Sequence, residues 1–436
     1  MENKKEEKSK LSFKLHNNVS IILSITIFIY FLYGFYVNEN SAGAGGYYGD
    51  FKIIWSNLIL LKKDLIFNIT SADYNDSRPP LSYILHIFLN PLSATKEGFR
   101  LSNFIISLSI PILLFFSIRI NYEHLDKNLA ILLSLIVTLS PYFRTTSYWA
   151  LGENYGLIFL LLSYLTYVEI EKNIKTFSSF KVNLMILLLC FFSSIIVYFD
   201  QKLVFVPFLI LYLIFKLNIK INYKLKTIFI FFIFSLPYFY LMYLWQGFIP
   251  TSANIGREVG SKIHLFHPGY CLTIMMVSIF PFIFLTKINL KKHLTNKKII
   301  VSLSIFLLYT ILLLFFDSFG DIRVEGKGAF HKFSLLLISN ANLRLVITLL
   351  IFLISLILTL IIFSKIRDLF IISYFVMLSL FVFPFYQEYL DPVMFILIFS
   401  FFKFRFNINN RKNVYFLVFY YFIFSLSSNY YYNFLI

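Results

Sequence analysis

Several groups able to move protons or hold phosphate crowd into one stretch of a very apolar chain. The segment YYGDFKIIW at 47–55 carries Asp50. The segment ADYNDSRPPLSY at 72–83 carries Asp73, Asp76, Arg78 and Tyr83 around the pair Pro79-Pro80. A carboxylate beside an acceptor hydroxyl serves as a general base. Arg or Lys holds the phosphate that leaves an activated lipid. Further acids of the same kind occur at Glu153, Asp200, Glu258, Asp317, Asp321, Glu325, Glu388 and Asp391. Further bases occur at Arg100, Arg144, Lys202, Arg257, Arg323, Lys327 and Lys332.

The elements that must position these groups are membrane helices. The chain has 436 residues, 58% hydrophobic and only 14% charged, against about 25% charged in soluble domains. Its apolar runs lack the two-residue alternation of membrane strands. Several reach the length that crosses roughly 30 Å of hydrocarbon as a helix. Thirteen spans are expected, at 19–37, 101–118, 128–141, 154–169, 182–199, 203–215, 227–245, 269–286, 299–316, 345–364, 369–386, 392–402 and 413–427. The fold expected is all-α, a single polytopic transmembrane domain over 1–436. The first span reads as an uncleaved anchor, since it exceeds the apolar core of a usual signal peptide.

Charge placement sets the orientation. With residues 1–18 as a cytoplasmic tail and strict alternation, the inner segments hold 25 of the 39 Lys and Arg residues, as the positive-inside rule asks. The net charge of +17 is thereby explained by topology and not by a nucleic-acid partner. Residues 38–100 then form the first extracytoplasmic loop. Within it, 51–65 and 78–92 read as amphipathic helices at the membrane interface. These span boundaries leave one ionisable side chain of Asp, Glu, Lys or Arg inside a span, Glu169 at the last position of 154–169 and so at its inner end, and none near mid-span, which argues against an ion-coupled transporter. All the groups named above fall on the outer side.

Other features carry ordinary readings. Cys190 and Cys271 lie in apolar runs and read as buried thiols. His264 and His267 read as structural. Gly43, Gly45 and Gly46 read as a flexible exit from the first span, since no phosphate-loop pattern follows. Asn68 and Asn75 begin glycosylation sequons. Tyr430, Tyr431 and Tyr432 read as an interfacial anchor.

Four stretches together resemble the membrane-embedded GT-C glycosyltransferases, in particular the polyprenyl- or dolichyl-phosphate mannose transferases and the lipid A aminoarabinose transferases. They are Gly49-Asp50 after the first span, Arg78-Pro79-Pro80-Leu81-Ser82-Tyr83 followed by Arg100-Leu101, LSPYFRTTSYWALGENYGLIFLLLSYL at 139–165, and QEYLDPVMFILI at 387–398. The likeness covers the first 200 residues by motif and the rest by topology. It implies inverting transfer of a sugar from a polyprenyl-phosphate donor to a glycan, lipid or protein acceptor, at the periplasmic or exterior face of a bacterial cell membrane. It implies Asp50 as catalytic base, Arg78 and Lys202 at the lipid phosphate, and Glu153 positioning loop or substrate. Asp73, Asp76, Tyr83, Arg144 and Glu388 complete the expected substrate-binding set. No cofactor is implied with certainty, and a divalent metal stays open. The chain departs from the pattern twice. Phe51 stands where many relatives carry Glu after the Asp, and Glu388 stands where they carry Arg. Two other classes remain open: a polymerase or ligase of lipid-linked glycans, and a flippase for them.

Overall fold

The computed structural model of the chain describes residues 2–42, 46, 49–250, 252–254, 262–286, 294–316, 327–363, 365–402, 404, 406 and 411–435. Among these residues the regular structure is helical, with one isolated antiparallel bridge, Thr286 to Phe406. Of the sequence candidates, Glu258, Asp317, Asp321, Glu325, Arg257 and Arg323 lie outside the described residues, as do Gly43 and Gly45.

The first helix, α1 (Glu2–Tyr36), is followed by a small helical platform. This consists of α2 (Asp50–Lys63), α3 (Leu65–Asn68) and α4 (Leu81–Leu89). The platform helices are amphipathic, as expected for 51–65 and 78–92. In α2 the buried Phe51, Ile54, Leu58 and Leu61 recur at helical spacing. In α4 the pattern is inverted relative to a soluble helix. Ser82, Tyr83 and His86 face the protein, while Leu89 is 74% exposed. Phe67 of α3 is 70% exposed. Apolar side chains turned outward beside a polar inner face fit a lipid environment. In brominated-lipid bilayers, Phe67→Trp and Phe88→Trp are expected to fluoresce with strong quenching, and Lys52→Trp with little. Equal quenching at all three positions would remove the platform from the interface.

The central bundle consists of α5 (Lys96–Ser107), α6 (Ser109–Asn121), α7 (Lys127–Leu135), α8 (Pro141–Tyr148), α9 (Glu153–Asn173), α10 (Ser179–Ile195), α11 (Phe205–Lys216) and α12 (Ile221–Trp245). Polar residues start these helices where the sequence supplies them. Thr95 accepts from Gly98 N, Asp126 from Asn128 and Leu129 N, and Ser178 from Lys181 N. The Ser140-Pro141 pair bends the chain by 74° between Lys127–Leu139 and Pro141–Tyr148. Proline cannot continue a backbone ladder and biases its predecessor toward extended geometry. Ser140 then caps α8 by accepting from Phe143 N. The bend carries Tyr142 and Arg144 across one end of the bundle instead of onward through it.

The remaining helices are α13 (His267–Ile283), α14 (Asn296–Phe315), α15 (Gly328–Leu337), α16 (Ala341–Ile362), α17 (Ile366–Phe381), α18 (Val393–Phe399) and α19 (Arg411–Tyr430). Helix α13 packs on α15, α16, α17, α18 and α19 and organises this half.

The described residues do not confirm thirteen spans. Among the described residues six helices are long and apolar enough to cross a membrane, with α5 and α6 counted together as Lys96–Asn121, or seven if the bent pair α7–α8 counts as one. This supports an integral membrane protein. Most expected runs coincide with helices, but several helices are too short to cross alone. Helix α11 has 12 residues, about 18 Å, and α18 has seven, about 10 Å. Every residue of α18 is buried within the protein. Its hydrophobicity reflects packing in the core, not contact with lipid. Helix α1 is built into the bundle, with Ile27 and Phe31 in the core.

Candidate functional site

Residues far apart in sequence meet where α2, the 72–80 loop, α8, α9 and the 386–391 loop converge. Arg78 is the hub. Its Nε donates to Glu153 Oε1 at 2.8 Å and its Nη2 to the same oxygen at 2.5 Å. Its Nη1 donates to Asp76 Oδ1 at 3.1 Å. Tyr83 donates a short hydrogen bond to Asp76 Oδ2. Tyr142, brought in by the bend at Pro141, donates to Glu153 Oε1 at 2.8 Å. The loop is fixed from behind by Tyr74, which donates to Arg78 O at 2.7 Å, and by Asn57 of α2, which donates to Asn75 Oδ1 at 2.9 Å.

A second cation sits beside the first. Lys202 Nζ lies 3.1 Å from Asp200 Oδ2 and donates to Glu388 O at 3.2 Å. Its charge is felt by Glu153, Glu388 and Asp391. Asp50 opens α2 and acts electrostatically on Arg78, Tyr142 and Glu388. Asp50, Asp76, Arg78, Tyr83, Glu153, Lys202 and Glu388 therefore share one neighbourhood. Its carboxylates outnumber its cations.

Burial dominates the titration of the raised acids here. Burial, then the charge of Asp50, pushes Glu388 up to about 7. Burial pushes Asp391 up to about 6, with hydrogen bonds from Ser140 and the Tyr142 backbone opposing it. Burial also raises Asp200, against the pull of Lys202. Glu153 Oε2 is buried with no hydrogen-bond donor among the described residues. An unsatisfied buried acceptor of this kind is costly in a finished core. It is suited to receive a substrate hydroxyl.

Glu388 yields a pH prediction. Its folded value of about 7 exceeds its ordinary 4.5, so the folded state holds the extra proton between those values. Raising pH through that window removes stability, and the loss is complete above about 7. Glu388→Gln lacks this dependence. The variant is expected to match wild type near pH 4.5 and to exceed it above pH 7 by up to about 3 kcal/mol, at roughly 1.4 kcal/mol per unit. Parallel melting curves for the two proteins from pH 4.5 to 8.5 would refute this.

Two expected site residues lie elsewhere. Asp73 is exposed on the loop. Arg144 is 0% exposed and pairs with Glu39, Nη2 to Oε2 at 2.5 Å and Nε to Oε1 at 2.8 Å. It therefore braces the end of α1 and faces no open site. Among the described residues no group of three His, Cys, Asp or Glu converges as a metal site. His264 and His267 stack at 5.0 Å with Phe383 beside them. Both cysteines are buried and unpaired. Asn68 is also buried, donating to Leu60 O at 2.8 Å, which suits a structural role better than glycosylation.

A cavity of about 480 Å³ adjoins the cluster, sharing Tyr142, Glu388 and Asp391 with it. Its other walls come from α15 and from the C-terminal residues Phe424–Tyr432. Tyr142, Lys332, Tyr431 and Tyr432 complete the candidate site. Of these, only Lys332 stood out in the sequence as an outer-face base, and the tyrosines gave no chemical signal there. Comparison with known proteins finds no matching family model, curated relative or solved structure.

Proposed function

We propose that the chain is a GT-C-type membrane glycosyltransferase. It moves a sugar, with inversion, from a polyprenyl-phosphate donor to an acceptor hydroxyl at the extracytoplasmic face of a bacterial cell membrane. The observation that carries this reading is the meeting of Asp50, Asp76, Arg78, Tyr83, Glu153, Lys202 and Glu388 beside a cavity. Those residues come from separate segments of the chain.

In the proposed step the acceptor oxygen attacks the anomeric carbon while Asp50 takes its proton. The bond from that carbon to the phosphate oxygen breaks, and its electron pair leaves with the phosphate. Glu153 Oε2 accepts from a sugar hydroxyl. Arg78 and Lys202 are already ion-paired to Asp76, Glu153 and Asp200. They orient these carboxylates, their charges favour the ionised form of Glu153 against its burial, and they supply a positive field to a nearby phosphate.

The test is transfer from a radiolabelled polyprenyl-phosphate sugar by the purified full chain, with membrane extract as acceptor source. Label moving once to an acceptor supports the reading. Label accumulating as a growing lipid-linked glycan would replace it with a polymerase. Donor crossing a sealed vesicle without chemistry would replace it with a flippase.

A further inference from the structure

The cavity beside the cluster has its own cation. Lys332 lines it from α15, together with Phe333 and Leu336. Its ammonium donates to Tyr432 Oη and lies 4.9 Å from the centre of the Tyr431 ring and 4.1 Å from that of Tyr432. Burial lowers Lys332 to about 8, and among the described residues no carboxylate charge opposes that effect. Arg78 and Lys202 differ, because each already has a carboxylate partner.

The cavity wall is also outer surface on one side. Leu336 and Tyr430 line the cavity yet are 55% and 57% exposed. Leu337, next along α15, is more exposed still. In a membrane protein such a rim opens toward lipid chains, and a tail lying there stays in an apolar medium. The other side of the cavity ends at Glu388, Asp391 and Tyr142, which offer hydrogen bonds to a hydroxylated group. The volume is that of an ordinary small-ligand site, roughly 300–1,000 Å³.

We propose that this cavity takes an anionic amphipath sideways from the bilayer and holds its phosphate or carboxylate at Lys332. The tail rests on the α15–α19 rim, and the polar head points toward Glu388 and Asp391. Desolvated ammonium is relieved by an incoming anion, and the two tyrosine rings add cation–π contact on the other flank. The anion site is thus separate from Arg78 and Lys202. That this lipid serves as sugar donor rests on the transferase reading, whereas its binding does not.

The experiment is native mass spectrometry of the full chain released from vesicles of phosphatidylcholine with phosphatidic acid as the anionic probe. Wild type and Lys332→Arg are expected to retain phosphatidic acid over phosphatidylcholine. Lys332→Gln is expected to retain about tenfold less, the effect of one charged hydrogen bond. Leu336→Trp, which keeps the charge and narrows the rim, should also lower retention. It serves as the independent reading if Lys332→Gln folds poorly. Excess inorganic phosphate should not displace the lipid. Equal retention by wild type and folded Lys332→Gln would overturn the site. Full displacement by inorganic phosphate would reduce it to a site for free anions and overturn the lateral lipid path. A chain that retains phosphatidic acid but transfers no sugar leaves this inference standing and removes the transferase reading.

Discussion

Asp50→Asn is expected to yield folded protein with at least about a hundredfold less sugar transfer, the effect of losing a general base. The amide keeps the size and hydrogen-bonding reach of the carboxylate but does not take up a proton at neutral pH. Stability should change little. Asp50 lies in the first turn of α2, where a negative charge contributes about 0.3–1 kcal/mol through the helix dipole, and it also attracts Arg78. Removing it also removes a repulsion that raises Glu388. Activity and folding are therefore separable in this variant, which is not so for Glu153→Gln, where Arg78 would lose a buried partner. Folded Asp50→Asn that transfers within twofold of wild type would exclude Asp50 as base. Glu388 would then be the next residue to test, because it lines the cavity, whereas Asp76 is engaged by Arg78 and Tyr83 and Asp73 faces away on the loop.

Hydropathy made the outer helices of this protein easy to read and its inner ones hard. Helices α12, α14 and α16 are long, apolar and mostly outward-facing, so composition identifies them as spans. Helix α18 is just as apolar, but its seven residues are buried by neighbouring helices. A run of Phe, Ile and Leu looks the same whether protein or lipid surrounds it. The Ser140-Pro141 bend was similarly hidden. The run at 128–141 reads as one straight segment until the proline turns it.

The site was legible where residue type and predicted side agreed. Asp50, Arg78, Glu153, Lys202 and Glu388 are charged groups placed by alternation on one face, and they do meet. Arg144 has the same credentials, four residues from Ser140, yet its partner is Glu39 at the end of α1, which carries no motif. The pairing spans 105 positions and depends on how α1 packs against α7 and α8. Lys332 and Tyr432 are likewise 100 positions apart. Local pattern does not report such pairs.

Glu39→Ala is expected to destabilise the chain by about 3–5 kcal/mol, the effect of leaving a buried guanidinium without its counter-charge. Among the described residues Arg144 would retain two long contacts to backbone carbonyls, Thr138 O and Tyr30 O, each at 3.3 Å, and the rings of Tyr30 at 3.9 Å, Tyr148 at 5.4 Å and Phe31 at 5.9 Å, but no counter-charge. Glu39 also accepts from Ser41, and its backbone carbonyl accepts from Trp149 Nε1 at 2.9 Å. The pair therefore fixes the exit of α1. Close packing against α1 depends on Gly34, where a methyl group would come within 2.5 Å of Arg144 Nη2. Unfolding in detergent measures the cost. Glu39→Leu combined with Arg144→Met removes both charges and should recover most of the loss, because an apolar pair of similar volume carries no desolvation penalty. A single variant that melts with wild type would mean that water or lipid headgroups reach Arg144, and that the bracing role assigned to this pair is wrong.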